Sequence, residues 1–223
     1  MKSLEQVLTP EVLEKYQALI FDLDGTLLNT IPAHEQAWEE TGRRFNKTFD
    51  VEIMHRLTGS SAVFIAEEIC KDAGVAPELV PDVLQTKVDI ASQYIADKTE
   101  ALPAYHLAHK YKGSKKLGIG TGSFRHFVDL LDKKFALYEL MGKENTFSQD
   151  DVSKHKPDPE TWLSVAKSLN VEPQNCLVFE DGTLGMQGAL ACGMDAFDVV
   201  NNKLYYAKDY SNLEEIKQAL AKR

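Results

Sequence analysis

Three short apolar runs of the sequence each end in side chains that suit phosphate or metal chemistry. The terminal pairs are Asp22 and Asp24, Thr121 and Ser123, and Glu180 and Asp181. Four carboxylates in one place would repel one another strongly unless a cation held them. Oxygen ligands of this kind suit Mg²⁺, which also accepts an oxygen of a substrate phosphate. The residue types therefore predict a magnesium-assisted reaction of a phosphorylated compound.

The spacing of Asp22 and Asp24 suggests how the reaction proceeds. One carboxylate attacks phosphorus to form an aspartyl-phosphate, which water hydrolyses. A second carboxylate two residues on protonates the leaving alcohol and later activates water. Gly25 lets the backbone turn sharply, so that this second acid reaches back. The alternative interpretation is a pair of turn-forming aspartates after a strand.

These side chains need a scaffold that brings the ends of several strands together. Apolar runs predict strands at 18–21, 116–120, 146–147, 176–179 and 196–200. The intervening segments predict helices at 104–111, 124–134, 159–169, 182–191 and 212–221. Strands that alternate with helices predict an α/β fold with a doubly wound, parallel, Rossmann-like sheet. The carboxyl ends of such strands converge on one crevice, where ligands bind.

Residues 32–100 have a different character. Their apolar residues recur at helical spacing, and turn signals near Gly59, Gly74 and 77–81 divide them into four or so helices without a strand. We therefore predict a Rossmann-like core formed by residues 1–31 and 101–223, with an all-helical cap domain inserted over residues 32–100.

Composition restricts the partners and the compartment. The net charge of −9 argues against nucleic acid or an anionic membrane as a partner. Cys70, Cys176 and Cys192 are far apart in the sequence, which predicts reduced thiols. Residues 1–17 do not resemble a signal peptide, and no apolar run approaches the length of a membrane span. We expect a cytoplasmic enzyme that acts on a small phosphorylated metabolite, as a monomer or alternatively a dimer.

Four motifs together carry a family resemblance. They are Asp22-Leu23-Asp24-Gly25-Thr26, Thr121-Gly122-Ser123, Lys156-Pro157-Asp158-Pro159 and Glu180-Asp181. Their order and approximate spacing resemble those of the haloacid-dehalogenase-like (HAD) superfamily. More narrowly, residues 16–200 resemble β-phosphoglucomutase and its sugar-phosphate phosphatase relatives, including bacterial fructose-1-phosphate phosphatases.

The resemblance implies a role for each motif. Asp22 is then the nucleophile and a metal ligand, and Asp24 is the general acid/base with its backbone carbonyl on the metal. The remaining motifs hold the phosphoryl group through Thr121, Gly122 and Ser123, neutralise it through Lys156, and complete the Mg²⁺ site through Glu180 and Asp181. The helical insertion is the cap that closes over the substrate.

Simpler interpretations exist for several of these residues. Thr121-Gly122-Ser123 and Glu180-Asp181 are also typical of helix N-termini, where hydroxyl and acidic side chains are favourable. Lys154 and His155 compete with Lys156 for the role of the cation. The Pro-x-Pro that follows Lys156 favours Lys156, because it matches the family pattern.

The expectations for the cap rest on the resemblance. It implies that His34, Trp38, Lys87 and the loop Gly59-Ser60-Ser61 bind the substrate. His34 and Trp38 lie one helical turn apart and share a face, so a packed aromatic pair is the alternative. For Lys87 the alternative is a solvated helix lysine.

Two departures from the family pattern bear on the reaction. The cap arginine of the mutase corresponds to Ala62, which removes a clamp for a second phosphate and favours a phosphatase over a phosphomutase. Gly182 stands where relatives usually have serine. Beyond the mutase, the alternatives are a dehalogenase, which needs no metal and has no use for Asp24, and a non-catalytic module that binds a phosphorylated metabolite.

Overall fold

The computed structural model describes residues 3–223. Its strands are β1 (Ala18–Phe21), β2 (Leu28–Asn29), β3 (Glu100–Ala101), β4 (Lys116–Gly120), β5 (Thr146–Phe147), β6 (Cys176–Glu180), β7 (Asp195–Asp198) and β8 (Lys203–Tyr205). Six of them form one sheet in the order β5-β4-β1-β6-β7-β8. The pairings within it are parallel except that of β8, which runs antiparallel to β7. β1 lies inside the sheet, between β4 and β6.

The register of β1 aligns the strand ends that carry the predicted motifs. Phe21 lies opposite Ile119 of β4 and Phe179 of β6. The next residue, Asp22, still donates its backbone N–H to the carbonyl of Phe179 at 3.0 Å. The motifs that follow these three strands therefore meet at one edge of the sheet, as predicted.

Helices cover both faces of this sheet. Before the cap region lie α1 (Leu4–Val7) and α2 (Pro10–Leu13); after it come α8 (Pro103–Tyr111), α9 (Arg125–Phe135), α10 (Leu137–Met141), α11 (Glu160–Ser168), α12 (Thr183–Ala191) and α13 (Leu213–Leu220). Alternate residues of β1 point to opposite faces. Leu19 and Phe21 belong to one buried apolar cluster, and Ala18 and Ile20 belong to the other. Burial on both faces explains the continuous apolar run.

In the sequence, a helical insertion lies between β1 and the other strands of the six-stranded sheet. It contains α3 (Ile31–Arg44), α4 (Glu52–Arg56), α5 (Ala62–Asp72), α6 (Val80–Ser92) and α7 (Ile95–Lys98). The helices α3 to α6 contribute to a third apolar cluster, which includes Trp38. β2 and β3 pair antiparallel on either side of the insertion, with Leu28 opposite Ala101. The predicted fold class is confirmed; the boundaries at residues 32 and 100 stay a prediction.

Some elements differ from the expectations. The short strands β2, β3 and β8 were not predicted, nor were α1 and α2. β7 ends at Asp198 rather than at residue 200, because the Asp198 carboxylate accepts the backbone N–H groups of Val200 and Asn201 and turns the chain. None of the helices in residues 3–223 combines the length and apolar character needed to cross a membrane.

Candidate active site

Three carboxylates converge where β1 and β6 end. Oxygen atoms of Asp22, Glu180 and Asp181 all lie within 4.8 Å of one another. Burial first, and then the neighbouring Glu180, raises the pKa of Asp22 and of Asp181 above their ordinary values. The cluster thus concentrates more negative charge than its surroundings compensate, which is the electrostatic setting of a cation site.

Lys156 supplies the cation nearest to this cluster. Its Nζ lies 2.6 Å from Asp22 Oδ1 and 2.9 Å from Glu180 Oε2, and all three side chains are buried. Burial disfavours the ammonium, but Asp22 and Glu180 outweigh it and raise the pKa of Lys156. Lys154 and His155 are exposed. Of the three basic residues considered, only Lys156 reaches the carboxylates, and its ammonium also lies over the Trp162 ring.

Gly25 makes the sharp turn that follows Asp24. Its φ of +80° lies in the left-handed region, and a Cβ there would stand 2.3 Å from Asp181 Oδ2. Thr26, the next residue, donates its hydroxyl to Asp181 Oδ1 at 3.2 Å. The turn predicted from Gly25 is therefore present, and it also leaves room for the Asp181 carboxylate.

The Asp24 side chain points away from the three carboxylates. Thr30 Oγ1 donates to its Oδ1 at 2.6 Å, and Ser123 Oγ donates to its Oδ2 at 2.5 Å. His34 Nε2 lies 3.6 Å from Oδ1. Burial would raise the pKa of Asp24, but these hydrogen-bonding neighbours reverse the effect and lower it. The carboxylate is therefore held ionised, and it does not belong to the cluster of Asp22, Glu180 and Asp181; the metal contact of its backbone carbonyl stays a prediction.

The motif after β4 lies beside Asp24. Thr121 Oγ1 donates to Asp24 Oδ2 at 3.3 Å and accepts the Ser123 backbone N–H at 3.0 Å. Ser123 does not cap a helix, because α9 begins at Arg125 with Phe124 as its N-cap. The motif is thus arranged around Asp24, and the simple helix-cap interpretation does not hold.

His34 connects Asp24 to a lysine of the insertion. Lys87 Nζ lies 2.8 Å from His34 Nδ1, and both side chains are buried. Burial first, and then Lys87, lowers the pKa of His34. Because Nδ1 accepts from an ammonium, a neutral His34 carries its proton on Nε2, towards Asp24. Burial also lowers the pKa of Lys87 to about 8. The solvated-lysine interpretation is therefore wrong.

The loop of residues 58–61 packs directly on the core. A Cβ at Gly122 would lie 2.1 Å from the Ser60 carbonyl oxygen, and one at Gly182 would lie 2.3 Å from the Thr58 carbonyl oxygen. The Ala62 N–H also donates to the Gly122 carbonyl at 3.2 Å. The lack of side chains at Gly122 and Gly182 therefore lets the backbone of the insertion contact the backbone of the loops that follow β4 and β6.

A cavity of about 70 Å³ remains between the insertion and the core. Its walls include most of the predicted site residues: Asp22, Asp24, His34, Trp38, Gly59, Ser60, Lys87, Thr121, Gly122 and Ser123. Its other walls are mainly apolar and include Ile31, Met54, Ala62, Ile65 and Phe127. Trp38 packs edge-on against Phe49, and His34 packs edge-on against Phe127. Substrate binding by His34 and Trp38 stays a prediction.

Ser61 is the predicted substrate-binding residue that the cavity walls do not include. Its hydroxyl accepts the Phe64 N–H at 3.2 Å and so caps α5. The structure gives this side chain a local structural task, as hydroxyl side chains at helix N-termini commonly have. Ser60 and Gly59, by contrast, face the cavity.

Sequence reasoning missed three contributors to the site. Thr30 precedes α3 and Thr26 follows Gly25, and each donates to a site carboxylate. Gln149 fixes the insertion from the core side, since its Oε1 accepts the Ala62 N–H at 2.8 Å. Thr26 lies within a quoted motif and could have been singled out, whereas Thr30 and Gln149 have no local signal.

Comparison with known proteins decides the family. The model of the haloacid dehalogenase-like hydrolases matches residues 16–193. The chain belongs to this family. The matched range includes the four motifs, the helical insertion and the carboxylate cluster at the ends of β1 and β6.

Relatives of this HAD-like chain include a fructose-1-phosphate phosphatase. Fructose-1-phosphate phosphatase YqaB from Escherichia coli K12 is 34% identical over 83% of this chain and 97% of its own. A hydrolase structure from Pseudomonas syringae has 25% identity and a TM-score of 0.73, covering 91% of this chain and 90% of its own. β-Phosphoglucomutase from Clostridium difficile has a TM-score of 0.71 over 93% of this chain and 98% of its own. At 20% identity, that last likeness concerns the fold alone.

Proposed function

We propose that this HAD-like chain is a phosphatase that hydrolyses a small phosphorylated metabolite, a sugar phosphate or a similar phosphomonoester, through an aspartyl-phosphate on Asp22 with Mg²⁺ as cofactor. The observation that carries the proposal is the contact of Lys156 with Asp22 and Glu180 beside Asp181. The proposed nucleophile, Asp22, thus has one ammonium and two further carboxylates beside it, and this carboxylate cluster favours the binding of a cation.

The donor set fits Mg²⁺. Asp22, Glu180 and Asp181 offer hard oxygen ligands, and the Asp24 backbone carbonyl is the further ligand that the family pattern implies. Both Glu180 oxygens accept protein hydrogen bonds, yet each carboxylate oxygen has a second lone pair to offer. When bound, Mg²⁺ offsets negative charge on the cluster and on the phosphoryl oxygens.

The chain's own residues carry out the chemical steps. Asp22 attacks phosphorus, and the bond to the leaving alcohol breaks. Lys156 and Thr121 stabilise the negative charge of the phosphoryl group, together with the Gly122 and Ser123 amides. Asp24 gives a proton to the leaving oxygen. It later takes a proton from the water that attacks phosphorus, and this attack breaks the bond to Asp22 and releases inorganic phosphate.

Asp24 must first gain the proton that it donates. In the arrangement described above its carboxylate is ionised, held by Thr30, Ser123 and His34. A phosphate dianion that binds beside it raises its pKa, because like charges disfavour ionisation. The hydroxyls of Thr121 and Ser123 then have a phosphoryl oxygen to donate to in place of Asp24.

The insertion acts as a lid in this proposal. The cavity of about 70 Å³ lies between the insertion and the core, where the packed loop of residues 58–61 leaves little room for a sugar phosphate to enter. Residues 58–61 therefore withdraw from Gly122 and Gly182 to admit substrate and return for the reaction. His34, Trp38 and Lys87 then contact the leaving group from the cap side.

Hydrolysis is favoured over transfer to a second site on the same sugar. A phosphomutase must bind a bisphosphate in either orientation, which requires a second cationic phosphate site. Ala62 lies in the cavity wall, and among the lining residues Lys87 is the only lysine or arginine. A dehalogenase is disfavoured as well, because it would have no use for the Asp24 network.

The compartment that we propose is the cytoplasm, with which the three free cysteines are consistent. The partner that we propose is a small metabolite, because the net charge of −9 disfavours nucleic acid and anionic membranes. The assembly that we expect is a monomer, with a dimer as the alternative.

A phosphomonoester screen tests the proposal. Phosphate release, scored by kcat/KM with Mg²⁺ and again after chelation, should identify sugar phosphates among the best substrates and be lost without metal. Equal turnover after thorough removal of Mg²⁺ would contradict it. Conversion of β-glucose 1-phosphate to glucose 6-phosphate with a trace of bisphosphate, without equivalent free phosphate, would favour a mutase instead.

A further inference from the structure

Arg223 reaches from beyond α13 into the loop that follows β6. Its Nη2 donates to the Asp181 backbone carbonyl at 2.7 Å, and its Nη1 donates to Thr183 Oγ1 at 3.0 Å. The same guanidinium binds Asp198 through Nε at 2.8 Å and Nη2 at 2.9 Å. One side chain therefore joins the end of β7, the carboxylate loop and the start of α12.

Asp198 is a fixed anchor for this guanidinium. It is fully buried at the end of β7, opposite Glu180 of β6 in the strand register. Its carboxylate also accepts the backbone N–H groups of Val200 and Asn201 and the Asn201 side-chain amide. Bidentate pairing with such an anchor fixes the plane of the Arg223 guanidinium.

The contact with Asp181 is made to a peptide group that also binds Glu180. The Gly182 N–H, in the same peptide unit as the Asp181 carbonyl, donates to Glu180 Oε1 at 2.8 Å. Arg223 and Glu180 thus hold opposite sides of one planar amide. Because the amide is planar, fixing its carbonyl also fixes the direction of the N–H that orients the Glu180 carboxylate.

Glycine at position 182 is the reason why fixing the peptide between Asp181 and Gly182 matters. Gly182 leaves space for the Thr58 carbonyl, but it also gives the backbone more conformational freedom than any other residue would. A cationic donor on the carbonyl further polarises the amide and strengthens the hydrogen bond that its N–H makes.

The geometry points to Arg223 as a positioning residue for the metal-binding carboxylates, acting through the 181–182 peptide. This inference rests on the proposed Mg²⁺ site. Arg223 itself touches neither metal nor substrate; it sets the orientation of Glu180 and the backbone position of Asp181. Outer contacts that orient metal ligands typically change metal affinity by about 10-fold to 100-fold when they are removed.

Mg²⁺ binding by titration calorimetry tests the inference without relying on turnover. Arg223→Met should raise the Mg²⁺ dissociation constant about tenfold. Lys222→Met removes the same charge from the exposed neighbouring residue and should leave binding within about twofold of wild type. Arg223→Lys should fall between, because an ammonium cannot reproduce the planar guanidinium contacts.

Arg223→Met also leaves the buried Asp198 carboxylate without its cation, so we expect the variant to lose stability for that reason alone. Arg223→Met/Asp198→Asn removes the unpaired charge. We expect the double variant to regain thermal stability while its Mg²⁺ dissociation constant stays raised. Recovery of both together, or wild-type affinity in a folded Arg223→Met, would overturn the positioning role. A wild-type protein that binds no Mg²⁺ would instead refute the metal site itself, and the inference with it.

Discussion

The Lys156 ammonium lies 2.6 Å from the Asp22 carboxylate, and both groups are buried. This contact joins residues 134 positions apart in the sequence. It holds Asp22 close to the nearest cation, while Glu180 shares that cation from the end of the neighbouring strand. In the proposed reaction, Lys156 passes from pairing with the nucleophile to stabilising the phosphoryl group that the nucleophile receives.

Replacement of Asp22 by asparagine should abolish turnover. The amide is similar in shape but is a far weaker nucleophile, so kcat should fall by at least about 10⁴-fold. Phosphate release from an aryl phosphate is the measurement, with circular dichroism as the check on folding. Wild-type turnover by Asp22→Asn would exclude Asp22 as the nucleophile.

Removal of the Thr30 hydroxyl should raise the pKa of Asp24. Thr30→Val keeps the side-chain shape but loses the 2.6 Å hydrogen bond to the Asp24 carboxylate. A hydrogen bond to a charged group contributes about 1.5 kcal/mol, or about one pKa unit. The ¹³C resonance of the Asp24 carboxyl, followed by NMR as the pH is lowered, should therefore titrate at higher pH in Thr30→Val than in wild type by about that amount. Equal titration in the two proteins would show that Thr30 does not act on Asp24.

The fall of kcat/KM at alkaline pH should report the deprotonation of Lys87. Burial lowers the pKa of Lys87 to about 8, so its ammonium is present below that pH and is lost above it. His34 faces Lys87 and accepts a hydrogen bond from its ammonium. Asp24 lies on the other side of the His34 ring, next to Nε2. If the ammonium binds the leaving group, kcat/KM should fall as pH rises through about 8. Lys87→Met should have lower activity below pH 8 and no such fall.

Alanine at Gly182 or Gly122 should hold the cap away from the core. The added Cβ would meet a backbone carbonyl of the loop 58–61 at 2.3 or 2.1 Å, which only displacement of that loop relieves. A displacement of about 1 Å costs about 10²-fold in rate, and we expect that loss in kcat.

Gly193→Ala is the matched control for these two glycines. Its φ of +85° makes alanine strained there, but no atom lies within 4 Å of the new Cβ. The control should lower thermal stability by about 1 kcal/mol and keep its kcat. Normal kcat in both Gly122→Ala and Gly182→Ala would contradict the close approach of the cap during the reaction.

The sheet and the loops that follow β1, β4 and β6 could be predicted because they leave strong local signals. β1 and β6 are buried on both faces and therefore read as continuous apolar runs that end in acids. β8 is a three-residue edge strand, and β2 and β3 have two residues each, too short for any periodicity to appear. Their pairing depends on the tertiary fold.

The contacts around Asp24 and Asp181 could be predicted only in part. Ser123 and Thr121 lie in a recognisable motif, whereas Thr30 and Arg223 act through contacts set by the packing of distant segments. Lys87 shows the limit of local reasoning. It lies in a helix with charged neighbours, yet the fold buries it against His34, Trp38 and Phe127.

Chemical trapping at Asp22 tests the central claim most directly. Asp24→Asn, which should form but not hydrolyse the phosphoenzyme, is mixed with Mg²⁺ and an aryl phosphate, quenched in acid and reduced with borohydride. Reduction of an aspartyl-phosphate yields homoserine, which peptide mass spectrometry locates. We predict homoserine at position 22, absent without Mg²⁺ and absent in Asp22→Asn/Asp24→Asn. Homoserine at another aspartate, or an unmodified Asp22 after a stoichiometric burst of aryl alcohol, would contradict the account.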